Sequence, residues 1–558
     1  MVLIKAVALF AVAISFASGH GALRAETNKD KADNRGNPLT DEFGRYVKNL
    51  MDEWKVLGLS VAVIDDDQVY TQGYGLAILP DTPVKPDTLF LGGSTTKAHV
   101  GAALAHLIST GEAKAAFPQG WLTPMSFIIR DDFALQDEWA TAHITLDDAA
   151  SHRTGLPRHD GALIGAAEPN DTTSTHQTNK ATVRNLRNLP PTAEPRVTFQ
   201  YCNFMYIALS HVIETVTGSW LGDVLRRVIW QPLDMQSTFL YYGDARNSGL
   251  EIATGYFWDD EAGQYVAVET DPIQFTSGAG AIITNALDYS KWVKCLMHET
   301  APFSAATHRD IRTARMLEVA LASDAWGVSN YGLGWEITTF HGEVVYRHDG
   351  GTQVFGTNVV WMPGIKFGVV AFSNSGDTGN VVEDLFTQKL VEDRLGIPLQ
   401  DRHDYNQETK QAVEQLKRDF FNATNLLYPN HGTDPPSFVV DYEVLAGTYS
   451  DPGYGAYTFT AEKATITAHA AAGKELPAQQ LVATREDLLV PSRLVLRHVV
   501  GDYWVAYLVP VLGSELSRAF YAAKFIRGVD GKPSGLEVTW KEGTDRLAAI
   551  VTRFERVG

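Results

Sequence analysis

Ser94 and Lys97 stand three residues apart in "LFLGGSTTKAHV", directly after Gly92 and Gly93. If the apolar run that follows is a helix, positions i and i+3 share a face and the Lys97 amine can reach the Ser94 hydroxyl. A serine hydroxyl attacks poorly until a neighbour takes its proton. Burial lowers a lysine pKa because desolvation disfavours the ammonium form, so Lys97 can be that neighbour. A helix start also offers free backbone N–H groups to developing negative charge, and the glycines would let a substrate approach closely. No other Ser-x-x-Lys occurs in the chain, although average composition gives about two chance matches in this length. By itself the pair reads more simply as a polar helix start.

Two further clusters carry usable chemistry. In "FQYCNFMYIALSHVIETVTG", Tyr201 and Asn203 sit just before a helix. A tyrosinate beside a lysine ammonium is an alternative proton acceptor, and an asparagine can orient both lysine and substrate; the plain alternative for Asn203 is a helix cap. A second Tyr-x-Asn at Tyr428–Asn430 shows that the pattern is cheap. In "VVYRHDGGTQVFGTNVVWMPG", His348, Asp349, Gly350 and Gly351 end a strand, where a substrate carbonyl can accept a backbone N–H. Alone this stretch reads as a hairpin turn with a surface histidine. There is no His-Glu-x-x-His, two cysteines cannot build a Cys-rich zinc site, and no Gly-x-Ser-x-Gly elbow occurs. No metal and no cofactor is therefore expected.

The elements that must position these residues can be read from periodicity. A helix follows Thr40, with Phe43, Val47, Leu50, Met51 and Trp54 on one face. Residues 58–75 read as two strands around an acidic turn. Beyond Ser94, Ala98, Ala102, Leu104 and Leu107 fit a buried helix that Gly111 ends. Strands return in 357–374 about Pro363-Gly364. Strands at both ends with helices between predict one sheet assembled from distant segments, with a helical region inserted. The polar, proline-broken stretch 158–198 reads as surface loop. Residues 401–437 read as a connecting amphipathic helix and linker, and 438–558 as a small all-β domain.

Composition narrows the class. The chain has 558 residues, 45% apolar and 20% charged, with a formal net charge of -19. Such a chain buries a large core, and its acidity argues against nucleic acid or anionic membrane as a partner. Lys5 and the apolar run 6–19 read as a secretory signal, too short to span a bilayer, so the protein is expected to be secreted without a membrane span. The two cysteines, Cys202 and Cys295, form no disulfide framework. In a eukaryotic secretory pathway the Asn170 and Asn422 sequons would be glycosylation candidates. Nothing in the sequence sets an oligomeric state.

Taken in order, Ser-x-x-Lys, Tyr-x-Asn and His-x-Gly on a late strand resemble the serine β-lactamase and penicillin-binding-protein family, in its class C-related esterase and D-aminopeptidase branch. The stretches 144–160, 218–240, 277–293 and 331–337 resemble that family's intervening segments, so the likeness covers about 40–400. It implies a mixed, mainly antiparallel sheet flanked by helices, plus a helical subdomain; 438–558 resembles the small lipocalin-like domain of some relatives. It implies Ser94 as acylated nucleophile, with Lys97 and Tyr201 sharing acid–base duty. Asn203, His348, Gly350 and Gly351 would bind substrate, and the Ser94 and Gly351 N–H groups would form the oxyanion hole. Lactamases often have Lys-Thr-Gly where this chain has His348-Asp349-Gly350. An added carboxylate there would repel an anionic ligand unless Asp349 points away. The expectation is therefore a serine hydrolase of small neutral or amine-bearing esters, lactones or amides. Its rivals are an acyltransferase using the same acyl-enzyme, and a non-catalytic binding protein on the same scaffold.

Overall fold

The computed structural model describes residues 36–164, 175–269, 273–432, 440–464, 479–540 and 549–557. The signal-like run 1–19 and the Asn170 sequon lie outside the described residues.

Helix α1 (Asp41–Trp54) begins where the Thr40 hydroxyl accepts the Phe43 N–H, and it buries the five residues of its predicted face. It leads into β1 (Gly58–Asp65), β2 (Gln68–Ile78) and β3 (Thr82–Pro83). The chain then leaves the sheet for more than 200 residues before contributing β4 (Met316–Val319), β5 (Ser329–Tyr331), β6 (Glu336–Phe340), β7 (Glu343–Gly351), β8 (Gly356–Met362) and β9 (Phe367–Ser373). These nine strands form one sheet in the order β3-β2-β1-β9-β8-β7-β6-β5-β4. Every neighbouring pair in it is antiparallel, in keeping with the mainly antiparallel sheet expected. Its two halves are joined by β1 and β9, with Leu59 opposite Ser373.

Both faces of the sheet's centre are covered, which is why β1, β8 and β9 are apolar without alternation. On one face α1 and α5 (Gly376–Leu395) pack on Leu59, Val61, Val369 and Ala371. On the other lie Ala62, Ile64, Val370 and Phe372, against a core that includes α2 (Thr96–Thr110), α3 (Asn203–Thr217) and α4 (Ala286–His298).

After α6 (Tyr405–Phe421), eight strands close into a barrel: β10 (Gly447–Asp451), β11 (Gly455–Lys463), β12 (Gln479–Arg485), β13 (Ser492–Val500), β14 (Tyr503–Pro510), β15 (Ala519–Arg527), β16 (Pro533–Trp540) and β17 (Ile550–Val557). The last strand pairs with the first. Inward residues such as Tyr449, Phe459, Leu494, Trp504, Phe525 and Phe554 are all buried, so the barrel is filled by its own side chains, as eight strands permit.

Residues 165–174 lie outside the described residues, but in its described parts the stretch 158–198 is not the surface loop its composition predicts. It contains a helix, Thr175–Asn185, buries His159, Val183, Leu186 and Leu189, and forms the seam with the barrel. The β10–β11 turn docks there: Tyr454 OH lies 2.7 Å from His159 Nδ1, and Asn185 Nδ2 donates to the Gly453 carbonyl. His159 Nε2 faces the Pro190 carbonyl, which can only accept, so Nε2 carries the proton and Nδ1 accepts from Tyr454. Cys202 and Cys295 are both free and buried.

Candidate active site

Ser94 occupies a tight turn, Gly93–Thr95, that feeds directly into α2. The intervening threonines brace this turn. Thr95 Oγ1 donates to the Gly92 carbonyl at 2.8 Å, Thr96 Oγ1 donates to the Gly93 carbonyl at 2.7 Å, and Thr96 Oγ1 accepts the Ile282 N–H. The glycines are needed for contact. Gly93 has φ +53°, and a Cβ there would sit 2.6 Å from the Gly351 nitrogen; one on Gly350 would sit 2.1 Å from the Gly92 oxygen. The serine turn and the end of β7 are thus pressed backbone to backbone, which brings Gly350 and Gly351 beside Ser94.

Lys97, one turn into α2, is fully buried. Its Nζ donates to Asn203 Oδ1 at 2.8 Å and to the Ala279 carbonyl at 2.6 Å, and lies 3.2 Å from Ser94 Oγ. Two of these partners can only accept, whereas a hydroxyl can donate or accept. The arrangement therefore suits both forms of the amine: an ammonium donating three bonds, or a neutral amine whose lone pair faces the Ser94 proton.

Neighbouring backbone sets this geometry. Cys202 holds the N-cap position of α3 without a capping bond, so Asn203 is not the cap. Its amide Nδ2 donates to Asp160 Oδ1 at 2.9 Å, which fixes Oδ1 towards Lys97. Ala279 is presented by a strained turn: Ser277 has φ +41° and ψ -124°, its carbonyl accepts the Gly280 and Ala281 N–H groups, and its Oγ accepts from Asn179. Strain of this kind persists only where the surroundings impose it.

Tyr201 is clamped by His152. The His152 carbonyl accepts the Gln200 N–H at 2.7 Å, Nδ1 accepts the Cys202 N–H at 3.1 Å, and the His152 ring lies 4.2 Å from the Tyr201 ring. Two cations flank that phenol: Lys97 Nζ at 4.8 Å from the ring centre and the Arg158 guanidinium at 4.7 Å. Arg158 is also paired with Asp160 at 2.9 Å.

His348 shares this cluster, 6.2 Å from the Tyr201 ring, but is buried. Its Nδ1 faces the Asp349 carbonyl at 2.6 Å and its Nε2 the Tyr331 hydroxyl at 2.9 Å. The carbonyl assigns the proton to Nδ1, so Nε2 accepts from Tyr331; burial holds the Tyr331 phenol well above its ordinary pKa, as a protonated donor. Both ring nitrogens are thus spent within the protein, and direct substrate contact through His348, expected from the sequence, is not the geometry found. Asp349 points away. Strand alternation puts it on the face of Arg347 rather than that of His348, and its charge acts on Glu383 of α5.

The sequence brought Ser94, Lys97, Tyr201, Asn203, His348, Gly350 and Gly351 together, and the structure groups all seven in one cluster. It did not single out Ala279, whose contribution is a carbonyl, nor Asp160, Arg158, His152 and Tyr331. His152 and Tyr331 were within noted family-like stretches, and Asp160 and Arg158 at the end of one; their side-chain targets could not be read from spacing. Among the described residues no group of three or more His, Cys, Asp or Glu could hold a metal ion, and no helix is long and apolar enough to cross a membrane.

An antiparallel sheet with a helical insertion, and a buried serine–lysine pair where the two meet, define an active-serine scaffold. The sequence profile of the β-lactamase family matches residues 43–392. The unguisins hydrolase ungD' of Aspergillus campestris is 36% identical over 515 residues, covering 92% of this chain and 91% of the relative. Among solved structures, the octameric penicillin-binding protein homologue from Pyrococcus abyssi superposes with a TM-score of 0.56 at 18% identity, over 92% of this chain and all of that one. EstCE1, a hydrolase with promiscuous acyltransferase activity, superposes with 0.50 at 19% identity, over 63% of this chain and 97% of its own. These structural likenesses concern the fold. The chain belongs to the β-lactamase family of serine hydrolases, whose substrates are small molecules.

Proposed function

We propose that the protein is a secreted serine hydrolase that cleaves an ester, lactone or amide through an acyl-enzyme on Ser94. The observation that carries this reading is the Lys97 amine, which two acceptor-only oxygens orient so that its third position meets Ser94 Oγ. In the first step Ser94 Oγ bonds to the substrate carbonyl carbon while its proton passes to neutral Lys97. The oxyanion is held between the Ser94 and Gly351 N–H groups, each such donor being worth about 2.7–4 kcal/mol of barrier. Tyr201 then gives a proton to the leaving alkoxide or amine as the carbonyl bond re-forms. Water, activated by the same pair, releases the acyl group and restores Ser94. Asn203 and Asp160 keep Lys97 in register, and His348 acts through Tyr331. With the Asp349 carboxylate 3.9 Å from His348 Nδ1, a neutral or amine-bearing substrate remains the better match on charge. The relative named above makes unguisins the first compounds to offer.

Intact mass after brief exposure to an activated ester and to a fluorophosphonate tests the reading. A single adduct on Ser94, lost with time for the ester and absent from Ser94→Ala, is the expected result; turnover in the variant should fall by at least ~10³-fold. Full activity in Ser94→Ala would end the proposal. A stable ester adduct would favour a binding scaffold, and partition to an added alcohol or amine an acyltransferase.

A further inference from the structure

Behind the cleft, on the opposite side of β7, lies a closed polar cluster that the steps above do not use. Asn380, near the start of α5, is buried. Its Nδ2, with two hydrogens to give, lies 2.9 Å from the Gly350 carbonyl, 3.3 Å from the Thr357 carbonyl and 3.1 Å from Glu383 Oε2, so two of these acceptors share one hydrogen. Glu383 is wholly buried, and burial holds its carboxyl well above the usual carboxylate range. The backbone makes room for this pair. A Cβ on Gly356 would lie 3.0 Å from the Asn380 backbone nitrogen and 3.1 Å from Glu383 Oε1, and one on Gly379 would lie 2.0 Å from Ser373 Oγ.

The Gly350 carbonyl and the Gly351 N–H belong to the same peptide unit, which is planar. A group that fixes the direction of one fixes the direction of the other, and a hydrogen bond to the carbonyl polarises the N–H and strengthens its donation. We propose that Asn380 is a positioning residue of the oxyanion hole: it grips the Gly350–Gly351 peptide from behind and aims the Gly351 N–H at the substrate oxygen. Glu383 and the Thr357 carbonyl anchor the gripping amide. Asn380 touches no reacting atom; it acts through Gly351. The inference rests on the acyl-enzyme reading, with Gly351 as one oxyanion donor.

Two variants remove the donor differently. Asn380→Asp keeps the shape, and Asn380→Ser shortens the side chain so that one of the two can be expected to fold. In each, kcat should fall at least ~10-fold with KM within threefold, the share lost when one oxyanion donor is weakened but kept. The inhibition constant of a boronic acid that mimics the tetrahedral adduct should rise by the same factor. The carbonyl stretch of the Ser94 acyl-enzyme, read by isotope-edited infrared difference spectroscopy, should move to higher wavenumber as the hydrogen bond weakens. A fall in kcat with the boronate affinity and carbonyl stretch of the unaltered protein would show a merely structural role and overturn the proposal, as would unaltered kinetics in either folded variant. Absence of any Ser94 adduct in the unaltered protein would instead sink the acyl-enzyme reading, and this inference with it.

Discussion

The cleft and the barrel of this protein are packed by opposite rules. Inside the barrel the inward positions are mostly aliphatic and aromatic, with Arg485 and Thr552 as hydrogen-bonded exceptions, and rings meet rings: Trp504 and Phe525 lie 5.4 Å apart edge-on, as do Tyr449 and Phe525 at 5.6 Å. At the cleft, Lys97, Asn203, His152 and His348 are buried just as deeply, although a buried polar group costs free energy unless it is bonded. Lys97 bonds to Ser94 and Asn203 to Lys97, while the rings of His152 and His348 lie 4.2 and 6.2 Å from that of Tyr201. Barrel burial is explained by stability alone, whereas burial at the cleft goes against stability and therefore points to function. What the barrel offers the cleft is its β10–β11 turn, which meets the segment carrying Arg158 and Asp160.

If this contrast is right, substitutions in the two places should separate chemistry from stability. The largest effect belongs to the cleft. Lys97→Ala and Tyr201→Phe should each lower kcat/KM by ~10²–10³-fold, and the double variant should lose little more, because residues acting as a unit are not additive. Additive losses would show that the two serve separate steps. Next is the barrel interior: Trp504→Ala should cost about 3–5 kcal/mol of stability, read from denaturant unfolding, while folded protein still forms the Ser94 adduct at an unaltered rate. Loss of the adduct rate in folded protein would erase the distinction.

The seam should respond to acid. Burial lowers the pKa of His159 from 6.5 to about 4, so between those values the unfolded chain binds a proton that the folded chain refuses. Its contribution is present above pH 6.5 and is lost as pH falls towards 4, on the order of 3 kcal/mol in all. Melting temperatures of His159→Gln should accordingly fall less across that window than those of the unaltered protein; parallel curves would mean that His159 is not protected by the seam. The smallest effect is expected of Tyr454→Phe. It removes one hydrogen bond, worth about 1 kcal/mol, while keeping the ring stacked on Trp540. A drop in kcat larger than threefold would show that the barrel's grip on this segment reaches the chemistry.

Much of this molecule could be read from side-chain pattern. The face of α1, the Gly111 stop of α2 and the residue types around Ser94 follow from periodicity and chemistry. What escaped is of three kinds. Ala279 works through its carbonyl, and an alanine gives no sign of which carbonyl will be used. Asp160 and Asn380 reach the site from segments whose place depends on the completed tertiary fold. The third kind was legible but missed: strand alternation alone puts Asp349 and His348 on opposite faces of β7. The polarity of 158–198 misled for a related reason, since its few apolar residues meet a partner surface supplied by a later domain.

The pairing of Leu59 with Ser373 sets a schedule for birth on the ribosome. β1 pairs with β2 at once but must wait for its second neighbour about 300 residues later, which at roughly 5–20 residues per second is about 15–60 s of translation. During that interval the edge of β1 is open and apolar, the condition that invites aggregation. The barrel pairs each strand with the next and closes only at its end, so its hairpins find their partners within seconds of emergence. A cell making this protein therefore has to shelter its first strands, and a chain released before residue 373 has no route to a finished sheet.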